Sequence, residues 1–69
     1  MKKVKILVHT PNGKTYETVY AECSDESLDN FRDKLKNPKY LTFTDMHGYE
    51  CFFTKEMLGH CVVRLKVKE

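Results

Sequence analysis

The stretch HTPNGKTYETVY, His9 to Tyr20, decides the fold, because it joins two runs in which apolar and polar residues alternate. A hairpin register shifted by one residue sends every side chain to the opposite face of the sheet. A two-residue type I′ turn at Asn12-Gly13 would set Tyr16 across from His9 and expose both Tyr16 and Tyr20. Pro11 favours a longer loop. Proline gives no N–H to a ladder, its fixed φ suits the first central position of a type I turn, and Gly13 suits the left-handed position that follows. The loop Pro11-Asn12-Gly13 with a G1 bulge sets Tyr16 across from Val8, Thr18 from Ile6 and Tyr20 from Val4. On this register both tyrosines join the aliphatic face, and Lys3, Lys5, Leu7, His9, Thr15, Glu17, Val19 and Ala21 take the other.

Working outward, Val4 to His9 and Thr15 to Ala21 are the two strands. The segment CSDESLDNFRDKLKNP, Cys23 to Pro38, reads as a helix with both ends marked. Ser24 caps it, Asp25 and Glu26 sit in the first turn, Lys34 and Lys36 sit in the last, and Asn37-Pro38 stops it. Leu28, Phe31 and Leu35 form one narrow apolar stripe, which fits one face of a sheet. The pattern then returns to period 2. Tyr40 to Thr54 is a second hairpin with Asp45 opening its turn and Gly48 in the left-handed position, so that Leu41, Phe43, Cys51 and Phe53 share a face. Residues 55–59 form a short turn, with Met57 or Leu58 closing the core. His60 to Lys68 is a last strand with Cys61, Val63, Leu65 and Val67 facing in. The expected order is β-β-α-β-β-β, an α+β fold with a mainly antiparallel sheet and one helix packed on one face, and residues 1–69 are read as a single globular domain.

Composition narrows the chemistry. A chain of 69 residues with 41% hydrophobic and 32% charged residues has the balance of a folded domain with one small core. The basic opening and short apolar run, Met1 to Val8, end too soon for a secretory leader or a membrane span. Cys23, Cys51 and Cys61 have no paired spacing and read as reduced thiols, so a cytoplasmic protein is expected, and the short apolar run gives no expectation of a membrane partner. A net charge of +2 does not by itself point to nucleic acid.

His47, Cys51, His60 and Cys61 are ligand types for zinc, but period 2 turns the two cysteines inward and His60 outward, and no CxxC occurs. Cys23 precedes a helix N-terminus, yet Asp25 and Glu26 oppose a thiolate there. There is no glycine-rich phosphate loop, HExxH or GxSxG. The sequence therefore supports neither catalytic residues nor a cofactor or metal.

The face left uncovered by the helix carries the functional expectation. Its candidate interaction surface is Lys5, Leu7, Val19, Tyr40, Phe52, Val62, Arg64 and Lys66. Lys2, Lys3 and Lys5 make the first strand basic, and Arg64, Lys66 and Lys68 do the same for the last. If those strands are neighbours they form a basic band, which beside aromatic side chains can hold phosphates and stack bases. Terminal lysines also guard sheet edges, and small apolar patches also serve homodimers. The expectation is a non-enzymatic protein that binds a protein partner, including a second copy of itself, through an exposed sheet face or edge strand. The alternative is a nucleic-acid-binding module on the same face.

One resemblance bears on this. The run YLTFTDMHGYECFFTKEMLGHCVVRLKV, Tyr40 to Val67, is a strand, a D-x-x-G turn, a strand, a short turn and a closing strand. It resembles the ends of many small proteins encoded by phages and prophages of Gram-positive bacteria. The resemblance implies a small accessory protein acting by binding, including to a host protein, and it assigns no functional residue.

Overall fold

The computed structural model describes residues 1–69, built around the strand β1 (Lys2–His9). Its even-numbered side chains, Val4, Ile6 and Val8, face the core, and Val8 is completely buried. Chain reversal after Thr10 follows the proline-determined loop. The Gly13 N–H donates to the Thr10 carbonyl at 3.1 Å, the Thr10 N–H to the Lys14 carbonyl at 2.8 Å, and Gly13 has φ +88°. Strand β2 (Thr15–Glu17) then runs antiparallel to β1 with Tyr16 opposite Val8, the register expected from Pro11.

That register does not persist. The strand expected to run unbroken to Ala21 is interrupted, and β3 (Ala21–Cys23) pairs Ala21, not Tyr20, with Val4. Between the Thr18–Ile6 and Ala21–Val4 levels, Val19 and Tyr20 oppose the single residue Lys5, which is the two-against-one arrangement of a β-bulge. Thr18 supplies the mechanism. Its N–H donates to the Ile6 carbonyl at 3.1 Å, while its hydroxyl, in place of its own carbonyl, accepts the Ile6 N–H at 3.1 Å. A side chain that stands in for the backbone lets the strand leave the ladder and rejoin it one residue later. Tyr20 is thereby turned to the outer face, where Lys5 Nζ lies 5.1 Å from its ring centroid.

Helix α1 (Asp25–Lys36) starts as expected, with Ser24 Oγ accepting the Ser27 N–H at 3.2 Å and Leu28 buried. Strands β4 (Tyr40–Thr44) and β5 (Glu50–Thr54) form the second hairpin, whose Asp45–Tyr49 turn repeats the device of the first, with Gly48 at φ +87°. A single turn, α2 (Lys55–Leu58), capped by Thr54 Oγ1, places Leu58 in the core. Strand β6 (Val62–Lys68) returns antiparallel along the free side of β1.

The α+β order is the expected one, but the strands divide between two sheets. One has β1 in the middle, β2 and β3 end to end on one side and β6 on the other; the second is the β4–β5 hairpin alone. The hairpin lies over the inner face of the first sheet because its apolar side is aromatic. Phe53 packs on Ile6, Val8 and Leu58, with the Tyr16 ring edge-on at 5.7 Å and the Phe43 ring stacked at 5.7 Å. Stacked over the sheet, these rings fill the space between the two layers. One backbone bond ties the hairpin turn to the sheet, from the Met46 N–H to the Glu17 carbonyl at 3.0 Å.

The two tyrosines should therefore separate in a stability assay. In urea unfolding, Tyr16→Ala is expected to cost about 2 kcal/mol and Tyr20→Ala under about 1 kcal/mol, while Phe53→Ala costs roughly 3–5 kcal/mol. Equal losses at Tyr16 and Tyr20 would contradict the bulge.

Candidate interaction surface

Putting β6 beside β1 makes the two basic strands neighbours, and the register opposes their charges directly. Lys3 pairs with Lys68, Lys5 with Lys66 and Leu7 with Arg64, all on the outer face. Like charges facing each other across a ladder are unfavourable, and here two such pairs are consecutive on one face. Part of the repulsion is relieved locally. Lys5, the most enclosed of these cations, lies 3.6 Å from a Glu17 carboxylate oxygen and over the Tyr20 ring, while Lys68 reaches the same ring at 5.7 Å. Glu22 lies opposite Lys3. Lys3, Arg64, Lys66 and Lys68 remain exposed.

The structure thus divides the expected surface. Lys5, Leu7, Val62, Arg64 and Lys66 share the outer face of the first sheet, with Arg64 and Lys66 exposed and Leu7 partly covered. Tyr40 and Phe52 do not join them. They stand on the outer face of the β4–β5 hairpin, 71% and 66% exposed, on the far side of the molecule, because that hairpin stacks on the first sheet instead of extending it. Val19 is exposed within the bulge. The aromatic residue that does lie in the basic face is Tyr20, which strict alternation had assigned to the core. The signal that could have found it is Thr18, a hydroxyl residue able to replace a backbone acceptor.

A second feature is a cleft of about 610 Å³ between α1 and β4, with Ile6, Phe31, Leu35, Leu41 and Phe43 below and Asp33, Lys34, Lys39 and Tyr40 around its mouth. Its apolar floor offers contact to a hydrophobic group, and the charged residues stand at the mouth.

The residues with zinc-ligand chemistry do not assemble, and no three His, Cys, Asp or Glu side chains form a set able to hold a metal ion. All three cysteines are free and half-buried. Cys51 Sγ sits 3.8 Å from Asp45 Oδ2, and burial, reinforced by the Asp45 charge, pushes the thiol above its ordinary value of 9.0. A thiol so placed is held in its un-ionised, less nucleophilic form. Asp45 is shifted the other way. The Tyr49 N–H first of all, then the His47 N–H and ring, outweigh partial burial and hold its carboxyl below the ordinary 3.8. Both N–H groups reach Asp45 Oδ1 at 2.9 Å, so this pair is a turn brace.

No helix is long and apolar enough to cross a membrane. Compared with protein families, with curated proteins and with solved structures, the chain matches none.

The Asp45 brace sets a pH dependence. A carboxyl whose value is lowered by folding contributes fully above its ordinary value of 3.8 and loses that contribution as pH falls through the lowered, folded value. Thermal melts from pH 6 down to about pH 2 should therefore show acid destabilisation that is shallower in Asp45→Asn, which keeps an acceptor without the charge. Asp45→Ala should melt lower than the native chain already at neutral pH. An unchanged acid limb in Asp45→Asn would remove this role.

Proposed function

We propose that this protein is a non-enzymatic binding module whose working surface is the basic outer face of the β1–β6 sheet, and whose partner is an acidic protein surface. The observation that supports this most is the register that sets Lys3 against Lys68 and Lys5 against Lys66. Lysine on an edge strand is adequately explained as a guard against edge pairing. Lys3 and Lys5 lie on the central strand, where they guard no edge and raise the cost of folding. The β6 members of the cluster can serve as edge guards, but Lys3 and Lys5 cannot, and their presence on the central strand is accounted for by an anionic partner, which would convert the repulsion into attraction and steer association.

Nucleic acid is the second reading, favoured by the same charge. Its aromatic requirement is poorly met. Tyr40 and Phe52 stand on the opposite side of the molecule, and the Tyr20 ring is engaged by Lys5 and Lys68, so no free ring lies in the basic face for a base to stack on.

The hairpin's outer face supports self-association. Phe52 and Tyr40 lie diagonally across the β4–β5 ladder, and both are well exposed. A patch of that kind, away from the charged face, suits a second copy. A small accessory protein of a phage or prophage, the class its C-terminal run resembles, would act in this manner on a host protein.

Titration with poly-glutamate and with a single-stranded oligonucleotide at rising salt separates the readings. Poly-glutamate should bind in a salt-sensitive way, and Arg64→Glu with Lys66→Glu should weaken it about tenfold or more. Oligonucleotide binding that is tighter at equal salt, and lost in the same variant, would favour the second reading. In sedimentation over a concentration series, Phe52→Glu should shift the chain toward monomer. A native chain monomeric throughout would remove the self-association.

A further inference from the structure

Resting on the reading of the basic face as a protein-binding surface, we infer that the free edge of β6 takes an extended acidic segment of the partner as an added antiparallel strand, one that alternates acidic and apolar residues.

The geometry of the edge follows from β1. Both the N–H and the C=O of Ile6 are directed at Thr18, so the even-numbered residues of β1 bond toward β2 and β3 and the odd-numbered ones toward β6. Lys3, Lys5, Leu7 and His9 are therefore hydrogen-bonded pairs with Lys68, Lys66, Arg64 and Val62. The intervening residues Val63, Leu65 and Val67 direct their N–H and C=O groups away from β1, and no other strand or loop in the chain bonds to them.

Of the sheet edges, this one best accepts a strand. The β2 edge is engaged by the Met46 N–H and ends in the bulge; β3 has three residues; β4 and β5 have five each, β4 carries no charged residue to select a partner, and β5 runs straight into α2. Strand β6 offers seven continuous residues without proline or glycine.

Charge then selects the occupant. Along this edge the outer face presents Arg64, Lys66 and Lys68, and the inner face presents Val63, Leu65 and Val67. A second copy of β6 would bring three cations against three cations on one face, an arrangement disfavoured by like-charge opposition. A strand with acidic residues on the outer face and apolar ones on the inner face meets both requirements. The free backbone groups belong to the inner-face residues, and antiparallel hydrogen-bonded pairs share a face. The incoming strand must therefore bond through the amides of its apolar residues, with its acidic amides turned outward.

That consequence is the test. The probe is a peptide with a Glu-Val-Glu-Val-Glu-Val-Glu centre and Gly-Ser flanks, titrated into the intact chain and read by fluorescence anisotropy or calorimetry, beside a version N-methylated on the three valines and another N-methylated on three glutamates. The plain and Glu-methylated peptides should bind within about threefold of each other, and the Val-methylated peptide at least about tenfold more weakly. Val67→Pro, which removes an N–H that nothing in the chain uses, should weaken the plain peptide while leaving the circular dichroism spectrum unchanged. Arg64→Glu with Lys66→Glu should transfer preference to a Lys-Val peptide. If all three peptides bind alike, strand addition is overturned while the acidic-partner reading stands. If none binds, and poly-glutamate does not either, both fall.

Discussion

Strand β1 carries the constraint on which the rest of the structure depends. It is the one strand bonded along both sides, and its period of two must serve two incompatible environments at once. Val4, Ile6 and Val8 go to the core, so Lys3, Lys5, Leu7 and His9 have no alternative to the outer face. Every neighbour then inherits its facing from β1. β2 takes its register through the Pro11 loop, β6 through seven consecutive pairs, and Tyr20 its outward turn through the exchange of a backbone acceptor for the Thr18 hydroxyl. A one-residue slip anywhere along β1 would put lysines in the core, which is why so short a chain can hold a single register.

The core that this strand supports is small. Ile6, Val8, Leu28, Phe53 and Leu58 are the only buried residues, and the remaining apolar side chains are half-covered at best. For a domain of this size the stability expected is on the order of 3–10 kcal/mol, so each unfavourable feature on the surface consumes an appreciable fraction of it. Two consecutive lysine pairs on one face are such a feature. The salt bridge from Lys5 to Glu17 and the position of Lys5 over Tyr20 offset part of the repulsion. The outermost cations, Arg64, Lys66 and Lys68, lie along the edge with the unused backbone groups. Charge and hydrogen-bonding capacity thus coincide on one strand, and they come from independent causes: the first from the residues chosen, the second from where the sheet stops.

Local chemistry was legible in the sequence wherever one residue type dictated one conformation. Pro11 and Gly13 set the first loop, Asp45 and Gly48 the second, and Ser24 and Asn37 the two ends of α1. Period 2 placed the inner and outer sides of β1, β4, β5 and β6 correctly. Two features could not be read that way. The bulge at Val19 and Tyr20 breaks no propensity rule, since TVYA alternates well and contains neither glycine nor proline. Its cause is a hydrogen bond to Thr18 that exists only once β1 lies alongside. The division into two sheets is also a tertiary decision. Leu41, Phe43 and Phe53 would serve equally as the inner face of one wide sheet or as a facing layer, and the volume of the stacked rings selects the second. Tyr40 and Phe52 followed the hairpin and left the basic face.

That departure sharpens what the basic face can recognise. A continuous sheet would have mixed lysines with free aromatic rings, a combination suited to stacking bases. The stacked arrangement leaves cations, an engaged tyrosine and a line of unused amides and carbonyls. Phosphates could satisfy the cations alone, and the alternating N–H and C=O groups of Val63, Leu65 and Val67 would then stay with water and add nothing to binding. Only another polypeptide backbone supplies donors and acceptors at the same spacing, and only acidic side chains at every second position neutralise Arg64, Lys66 and Lys68 from the same strand. On the reading proposed above, an acidic extended protein segment would meet both the charge and the backbone period of this edge, whereas a nucleic acid would meet the charge alone.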